Sequence, residues 1–472
     1  MRRWAVLLAL ALLSGLAAAQ EMAPVLPGAL EGRPGAADLS PLQARLDAAA
    51  PGATLEVEPG EYAGDLVLDK PLRLVGRGRP RLVGSGHGSV VRVRADDVTV
   101  EGFRIDGRRG GDLSHDSSGI HSAASRTTLR DLEIVESLFG VYLREANGAV
   151  VERCRVRGIP GKDPGEKGSG IHAYNLEGFR FDDNELVDVR DGLYLQNASK
   201  GTLSRNVARD VRYGLHYMFS DDNVFEDNTF ENGAAGTAIM YSERIVFRRN
   251  RFLRNRGFAS VGLLFQGCDD VLAETNLIAD NARGVFIEGS HRITLRDNVI
   301  AASDVAVVLY DPNGGHRFEG NSFVGNMSPL DLVARQTDTV FAGNYWSGNG
   351  EPDLDGDGRS DRPYRLTSVF DHFRGNLTAA DILSDSFAAV AIGAAERAFP
   401  VLRLVPVEDA SPLARPPLLP GVPGPDTGAA GPRPLGVAAS LVLGLAGAAV
   451  LVRGRRPSTG GRPRSRMERA AP

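Results

Sequence analysis

The sequence predicts an all-β protein: a right-handed parallel β-helix, or solenoid, with an N-terminal capping helix, a C-terminal extension and one C-terminal transmembrane helix. An asparagine recurs every 22 or 23 residues, with one step of 26, at Asn184, Asn206, Asn228, Asn250, Asn276, Asn298, Asn321 and Asn344. A glycine lies fourteen residues before each of the first six, at Gly170, Gly192, Gly214, Gly236, Gly262 and Gly284. Alternating apolar residues follow these glycines, as in 192–196. A fixed period indicates stacked units, and alternation indicates strands.

The N-terminal segments are a secretion signal and the start of the solenoid. In residues 1–19 two arginines precede an apolar run and a stretch of three alanines, which is typical of a signal peptide. Residues 20–350 are assigned to the β-helix. Ser40-Pro41 followed by apolar residues predicts a short helix that covers the first exposed strand edge. Two insertions, at 108–118 and 160–169, predict loops on the binding side of the solenoid.

The C-terminal segments predict a membrane anchor. Residues 351–410 form an extension with an acidic loop and a helix, and 411–434 is a linker rich in proline and glycine. Residues 435–452 lack charge and proline, so they predict a transmembrane helix. The basic tail, 453–472, has seven arginines and one glutamate and is expected in the cytoplasm, with everything upstream outside it. A disordered tail with an apolar segment is the alternative.

The net charge argues against one class of partner, and the spacing of the two cysteines argues against a disulfide. The net charge is −5 for the whole chain and becomes about −13 for the secreted body without signal and tail, which argues against nucleic acid as a partner. Cys154 and Cys268 lie about five coils, or roughly 24 Å, apart. A disulfide needs Cα atoms within about 7 Å, so both thiols should be free. Cys154 occupies an asparagine position of the repeat, where Asp-Asn or Arg-Asn pairs predict tight corners with left-handed backbone and stacked amides.

Strand alternation predicts which side chains share the outer face. The first and third residues after each glycine should point inward, and the second and fourth outward. The second positions are His121, Tyr142, His172, Tyr194, His216, Ala238 and Leu264, and the fourth are Ala123, Arg144, Tyr174, Gln196, Met218, Met240 and Gln266. Histidine, tyrosine and methionine side chains are therefore gathered on one sheet.

This face suggests a copper site. Met218 and Met240 should be about 5 Å apart on adjacent coils, with His216 on the strand of Met218. Thioether and imidazole groups suit Cu(I), and His172 is a fourth candidate ligand. One alternative is an adaptable contact surface for a protein partner. A second is ordinary core beneath an inserted loop. The candidate partner-binding residues are Tyr174, Tyr194, Tyr217 and Phe219.

An acidic loop suggests a second metal. Asp353, Asp355, Asp357 and Asp361 follow a D-x-D-x-D-G-x-x-D pattern with Gly358 at the sharp turn, as a Ca²⁺ loop requires. The twelfth position holds Tyr364 instead of a glutamate. A plain acidic turn is the alternative.

Several motifs resemble one family over roughly residues 35–415. The segments 213–223 (YGLHYMFSDDN) and 238–244 (AIMYSER), with 343–346 and 353–361, are similar to those of the NosD family, periplasmic maturation proteins of nitrous-oxide reductase. The resemblance implies a role outside the cytoplasm, with an ABC ATPase, a permease and a copper chaperone, in building the copper–sulfur centre of the reductase. The chain itself has no G-x-x-x-x-G-K-[ST] phosphate loop.

Two other function classes stay open. β-Helices also include polysaccharide lyases, hydrolases and uronate epimerases, and Asp311-Pro312-Asn313 with His316 is faintly similar to an epimerase Asp-Pro-His-Asp motif. The central histidine and second aspartate are missing, so we expect no catalytic residues and no enzyme. Asp221 and Asp222 could serve a hydrolase, but aspartates are common at turns. A passive surface scaffold is the third class.

Overall fold

The computed structural model describes residues 41–366 except 112, 114–116, 258–259, 311–312 and 334–336, together with residue 391 and residues 407–417. The signal peptide, most of the predicted extension helix, most of the linker, the transmembrane helix and the basic tail lie outside these residues. Among the described residues, no helix is both long enough and apolar enough to span a membrane.

The described chain winds into a parallel β-solenoid with three sheets, as predicted. Each of the first twelve coils contributes one strand to each sheet, and strands are numbered along the chain. Sheet A contains, in spatial order, β1 (Thr54–Val57), β4 (Arg73–Gly76), β7 (Thr99–Glu101), β10 (Thr128–Arg130), β13 (Val150–Glu152), β16 (Arg180–Asp182), β19 (Thr202–Ser204), β22 (Val224–Glu226), β25 (Glu243–Arg248), β28 (Asp269–Glu274), β31 (His291–Arg296), β34 (Arg317–Glu319), β37 (Val340–Ala342), β40 (Glu408–Asp409) and β39 (Tyr364–Arg365).

Sheets B and C are parallel throughout, whereas in sheet A the terminal strand β39 is antiparallel to β40. Sheet B contains β2 (Glu61–Ala63), β5 (Arg81–Val83), β8 (Arg104–Asp106), β11 (Glu133–Val135), β14 (Arg155–Arg157), β17 (Glu185–Val187), β20 (Val207–Arg209), β23 (Thr229–Glu231), β26 (Arg251–Leu253), β29 (Leu277–Ala279), β32 (Val299–Ala301), β35 (Ser322–Val324) and β38 (Tyr345–Trp346). Sheet C contains β3 (Leu66–Leu68), β6 (Val91–Val93), β9 (Ser118–Ser122), β12 (Phe139–Arg144), β15 (Ile171–Glu177), β18 (Asp191–Ser199), β21 (Tyr213–Met218), β24 (Ala235–Met240), β27 (Val261–Gln266), β30 (Arg283–Glu288), β33 (Val305–Leu309) and β36 (Ser328–Leu332).

The predicted capping helix is α1 (Pro41–Ala48). Leu42 and Leu46 are buried against the first coil. The Gln43 amide donates to the carbonyl of Val67 at 3.1 Å and accepts its N–H at 2.9 Å. Since Val67 lies in the first strand of sheet C, these two bonds satisfy part of an edge that would otherwise be unpaired.

The repeated asparagines form a buried ladder between sheets A and B. Each amide Nδ2 donates to the Oδ1 of the next asparagine and to a strand carbonyl; for Asn228 these distances are 2.9 Å to Asn250 and 2.8 Å to Leu203. The predicted stacking of amides is confirmed. The left-handed backbone belongs instead to the preceding residue, such as Asp227 at φ 56° or Arg249 at φ 53°. The asparagine side chain must point inward, so the exposed residue before it makes the bend.

At each end of the ladder, a residue other than asparagine occupies the repeat position. Cys154 occupies the first position, and its N–H donates to Asn184 Oδ1 at 3.0 Å. Asp409, from the C-terminal extension, occupies the position after Asn344 and accepts from the Asn344 N–H at 2.8 Å and Nδ2 at 3.0 Å. Both cysteines are free and buried, as expected, and burial raises the pKa of each thiol to about 12.

The repeated glycines allow adjacent coils to approach closely. A Cβ atom on Gly214 would lie 2.6 Å from the carbonyl oxygen of Gly236 and 2.7 Å from Phe230 Cβ. Similar approaches recur at the neighbouring repeat glycines, so their role is close packing and not a left-handed backbone. The inward side chains form one continuous apolar core along the stack, with stacked rings such as Phe225 and Phe247, whose centroids are 4.7 Å apart.

Candidate functional site

A row of stacked rings runs along the outer face of sheet C. The strand register pairs His121 with Tyr142, Tyr142 with His172, His172 with Tyr194, and Tyr194 with His216, as the repeat predicts. Successive ring centroids are 5.2, 4.4, 4.3 and 4.9 Å apart. In the first three contacts the rings stack nearly parallel, and the last contact is edge-to-face at 85°. His216 is therefore turned relative to the rest of the row.

The histidines inside this row are neutral at physiological pH. His172 is buried between Tyr142 and Tyr194, and burial is the main reason that its pKa falls to about 3. Burial likewise lowers the pKa of His121 to about 4, with help from Arg92. Within the described residues, Nδ1 of His172 has no hydrogen-bond partner. His121, Tyr142, His172 and Tyr194 thus form an uncharged, aromatic column.

His216 lies beside a buried ion pair. Asp191 is fully buried and accepts two hydrogen bonds from Arg212, Nε to Oδ1 at 2.9 Å and Nη2 to Oδ2 at 2.7 Å. His216 Nδ1 lies 3.3 Å from Asp191 Oδ2. The hydrogen bonds from His216 and Arg212 outweigh the effect of burial and lower the pKa of the Asp191 carboxyl far below its usual range. Arg212 also packs over the Tyr213 ring at 4.4 Å, and that ring meets His216 edge-to-face.

Met218 and Met240 are register partners on adjacent coils, as predicted. Their exposed fractions are only 6% and 8%, and they form one buried apolar cluster with Tyr194 and Ala238. His216 pairs with Ala238 in the same register, so His216, Met218 and Met240 occupy one block of two adjacent coils. The cluster is buried, in contrast to the freely exposed patch that one interpretation of the sequence required.

His172 does not join this block. It is two register steps from His216, with Tyr194 between them. At about 4.8 Å per step, that places the His172 and His216 strands roughly 10 Å apart. His172 belongs to the aromatic column, and the candidate Cu(I) ligands that the fold brings together are His216, Met218 and Met240.

Comparison with known proteins identifies the family. The family model described as periplasmic copper-binding protein (NosD) matches residues 158–351. A "Probable ABC transporter binding protein NosD" from Pseudomonas aeruginosa is 33% identical over 374 residues, covering 76% of this chain and 87% of that protein. The chain belongs to the NosD family. A protein with the same description from Stutzerimonas stutzeri is 30% identical, covering 75% of this chain and 85% of that one.

Solved structures resemble this NosD-family protein in fold. The A-module of Azotobacter vinelandii mannuronan C-5 epimerase AlgE4 superimposes with a TM-score of 0.56 at 17% identity, covering 64% of this chain and 94% of that module. The AlgE6 A-module gives the same TM-score and identity. At this identity the likeness concerns the β-solenoid alone.

The candidate partner-binding residues of the NosD-family chain occupy different environments. Tyr217 points into the core: its hydroxyl donates to the Ser220 carbonyl and accepts from Asn223 at 2.6 Å, so its assignment to a contact surface is wrong. It is the third residue after Gly214, an inward position. Tyr194 is also buried, and its hydroxyl donates to Gln196 at 2.8 Å. Tyr174 is half-buried.

Phe219 is exposed and has a partner that the sequence interpretation missed. Its ring stacks on Tyr241 at 5.3 Å, and the exposed fractions are 52% and 48%. Both residues have left-handed backbone, at φ 49° and 51°, which is unfavourable for bulky side chains. The equivalent position one coil earlier is Asn197, which tolerates this conformation. These two strained aromatic residues directly follow Met218 and Met240.

The acidic loop gathers three of its four aspartates. One carboxylate oxygen each from Asp353, Asp355 and Asp357 lies within 4.8 Å of the others. Asp353 also accepts N–H groups from Gly356 at 2.7 Å and Gly358 at 3.0 Å, and these two bonds shape the loop. Asp361 Oδ2 accepts the Leu354 N–H at 2.6 Å. The calcium site stays a prediction.

The residues considered for an enzyme are held by structural contacts. Asp221 accepts the Glu243 N–H at 2.9 Å, and Asp222 forms an ion pair with Arg244. Both lie at a corner, where such bonds fix the turn. His316 is buried, with Nδ1 3.3 Å from the Ile293 N–H. Asp311 and Pro312 of the faint epimerase motif lie outside the described residues.

Proposed function

We propose that this NosD-family protein is a maturation protein for nitrous-oxide reductase that acts outside the cytoplasm during assembly of the copper–sulfur centre. It carries Cu(I) as cargo on His216, Met218 and Met240. The observation that supports this most directly is the pairing of Met218 with Met240 next to His216 on one face of sheet C. Two thioethers and an imidazole are a donor set that Cu(I) prefers.

The proposal includes partners and an anchor. The relatives are named as probable ABC transporter binding proteins, and this supports docking to a permease with its ATPase. A copper chaperone supplies the cargo, and nitrous-oxide reductase receives it. The exposed pair Phe219 and Tyr241, with Tyr174, forms the contact surface. Residues 435–452 hold the protein to the cytoplasmic membrane as a single helix.

The acidic loop is proposed as a separate calcium site. Asp353, Asp355 and Asp357 supply the clustered oxygens, and Asp361 completes the pattern. Adding Ca²⁺ is expected to raise the thermal unfolding temperature, and the rise should be absent in Asp355→Ala. If the temperature rises equally in both proteins, the calcium site does not lie in this loop.

Competition titration of Cu(I) against a chromophoric chelator tests the copper proposal. Purified full-length protein is expected to withdraw Cu(I) from the chelator, and Met218→Ala with Met240→Ala should lose this ability. Met327→Ala is the matched control, because Met327 is 58% exposed and lies outside the block. Equal affinity in wild type and the double variant would refute the site. In cells, the double variant should leave reductase protein that lacks the copper–sulfur absorption.

A further inference from the structure

A buried carboxylate, that of Asp191, lies beside His216 but is not itself a candidate copper ligand. Asp191 is the first residue of β18, immediately before the repeat glycine Gly192. Its register partners, Tyr213 and then Ala235, are uncharged. A fully buried carboxylate is costly unless it is paired. Its presence at the start of a buried strand therefore calls for a specific reason.

Arg212 fixes the orientation of this carboxylate. The guanidinium donates through Nε to Oδ1 and through Nη2 to Oδ2, a two-point contact that leaves little rotational freedom. Arg212 is itself held over the Tyr213 ring at 4.4 Å. Arg190 Nε also lies 3.4 Å from Oδ2. Asp191 Oδ2 is consequently a fixed acceptor.

The histidine meets this acceptor with one specific nitrogen. His216 Nδ1 is 3.3 Å from Asp191 Oδ2 and 3.5 Å from Arg212 Nη2. The carboxylate oxygen is the nearer of the two and carries the negative charge that favours an imidazole N–H, so it is the better partner for Nδ1. The ring is also held edge-to-face by Tyr194 at 4.9 Å and Tyr213 at 5.2 Å. Both its tilt and its hydrogen bond are fixed.

The geometry points to Asp191 as a positioning residue that keeps the proton of His216 on Nδ1, so that Nε2 keeps its lone pair for Cu(I). This inference rests on the proposed copper function. In many metal sites a carboxylate holds the far nitrogen of a ligating histidine in the same manner. The row of rings ends at the neighbouring coil, where Ala238 pairs with His216. Ala238 belongs to the same buried cluster as the two methionines, so a larger side chain at this position would crowd the candidate ligands.

Long-range ¹H–¹⁵N correlation spectra of ¹⁵N-histidine-labelled full-length protein test the inference without copper. The chain has eight histidines, and the His216 signals are those that disappear in His216→Gln. We expect wild-type His216 to carry its proton on Nδ1. A proton on Nε2 would overturn the inference, whether or not copper binds.

The second measurement is Cu(I) affinity. Asp191→Asn should weaken Cu(I) binding by about 10- to 100-fold, and Ala238→Leu should weaken it without removing any ligand. Asp269→Asn is the matched control, because Asp269 contacts His291 Nδ1 at 3.0 Å on sheet A, away from the block. If Asp191→Asn folds and keeps wild-type affinity while His216→Gln loses it, Asp191 is not a positioning residue.

The spectra and the titration together distinguish a failure of the proposed copper function from a failure of the inference about Asp191. A wild-type protein that fails to bind Cu(I) refutes the proposed function, although its His216 proton can still be located. If Asp191→Asn does not fold, Asp191→Asn with Arg212→Gln removes the unpaired guanidinium and gives the second protein for titration. Unchanged affinity in that double variant would equally overturn the inference.

Discussion

Replacing Asn228 by alanine tests the amide ladder where it is most regular. The Asn228 side chain makes four buried hydrogen bonds: it donates to Leu203 O and Asn250 Oδ1, and it accepts from the N–H and Nδ2 of Asn206, all between 2.8 and 3.0 Å. Asn206 Nδ2 and Asn250 Oδ1 keep other partners, the carbonyl of Phe181 and the N–H of Asn228. The Asn206 N–H and the Leu203 carbonyl each lose a bond inside the protein.

The expected magnitude follows mainly from the Asn206 N–H, because the Leu203 carbonyl keeps the bond of its parallel strand ladder. A buried polar group left without a partner costs about 1–3 kcal/mol, so Asn228→Ala should lower the free energy of unfolding by about that amount. Equilibrium urea denaturation, followed by far-ultraviolet circular dichroism, measures this change. In a solenoid, each coil depends on its neighbours, so hydrogen exchange should also become faster in the peptide that contains Asn206.

The control for this variant is an exposed asparagine. Asn197 donates to Asn175 at 3.0 Å on the surface and has φ 50°. Glycine tolerates that conformation, so Asn197→Gly should change stability by less than about 0.5 kcal/mol. If Asn228→Ala costs less than about 1 kcal/mol with an intact spectrum, the ladder is not an important source of stability and our reasoning fails.

Three further predictions concern packing, pH and partner contact. Gly214→Ala should lower stability by about 1–3 kcal/mol in urea denaturation, since its Cβ meets the next coil; little loss would show that the coils separate easily. Because the folded pKa of His172 is about 3 and its unfolded value is about 6.5, the unfolded chain binds the proton first. The free energy of unfolding should therefore fall with decreasing pH between those values, by up to about 1.4 kcal/mol per pH unit. His172→Phe should remove this contribution to the pH dependence. The same pH dependence in wild type and His172→Phe would contradict the prediction. Phe219→Asn should keep stability within about 1 kcal/mol, because asparagine relieves the left-handed strain, and should weaken binding to membranes that contain the transporter; undiminished binding would exclude Phe219 from the contact.

Much of the architecture could be predicted from the period of the sequence. A repeat of 22 residues fixes which side chains are vertical neighbours, so the pairing of Met218 with Met240 followed directly and is confirmed. The inward and outward positions also followed from alternation. By that rule Tyr217 is inward, so the alternation itself contradicts the prediction that Tyr217 belongs to a contact surface.

Other features depend on contacts that do not repeat. The low exposure of Met218 and Tyr194 comes from how closely the neighbouring side chains of sheet C pack beside them, which the period alone does not specify. Asp191 lies one residue before Gly192, so the alternation rule for residues after each glycine does not describe it. The available signal is an acidic residue at a position where the next two coils have Tyr213 and Ala235. Tyr241 lies at a corner, where the sequence pattern predicts a turn and no ring contact.

The position of Asp409 in the sequence determines when the last coil of the solenoid can be capped. Its carboxylate ends the asparagine ladder after Asn344 and also accepts the Trp346 indole N–H at 3.2 Å. It is 63 residues further along the chain than Trp346. During synthesis the last coil is therefore made well before its terminator, and the newest end of the stack stays open until residue 409 arrives. Translation order leaves this end as the final part of the solenoid to close.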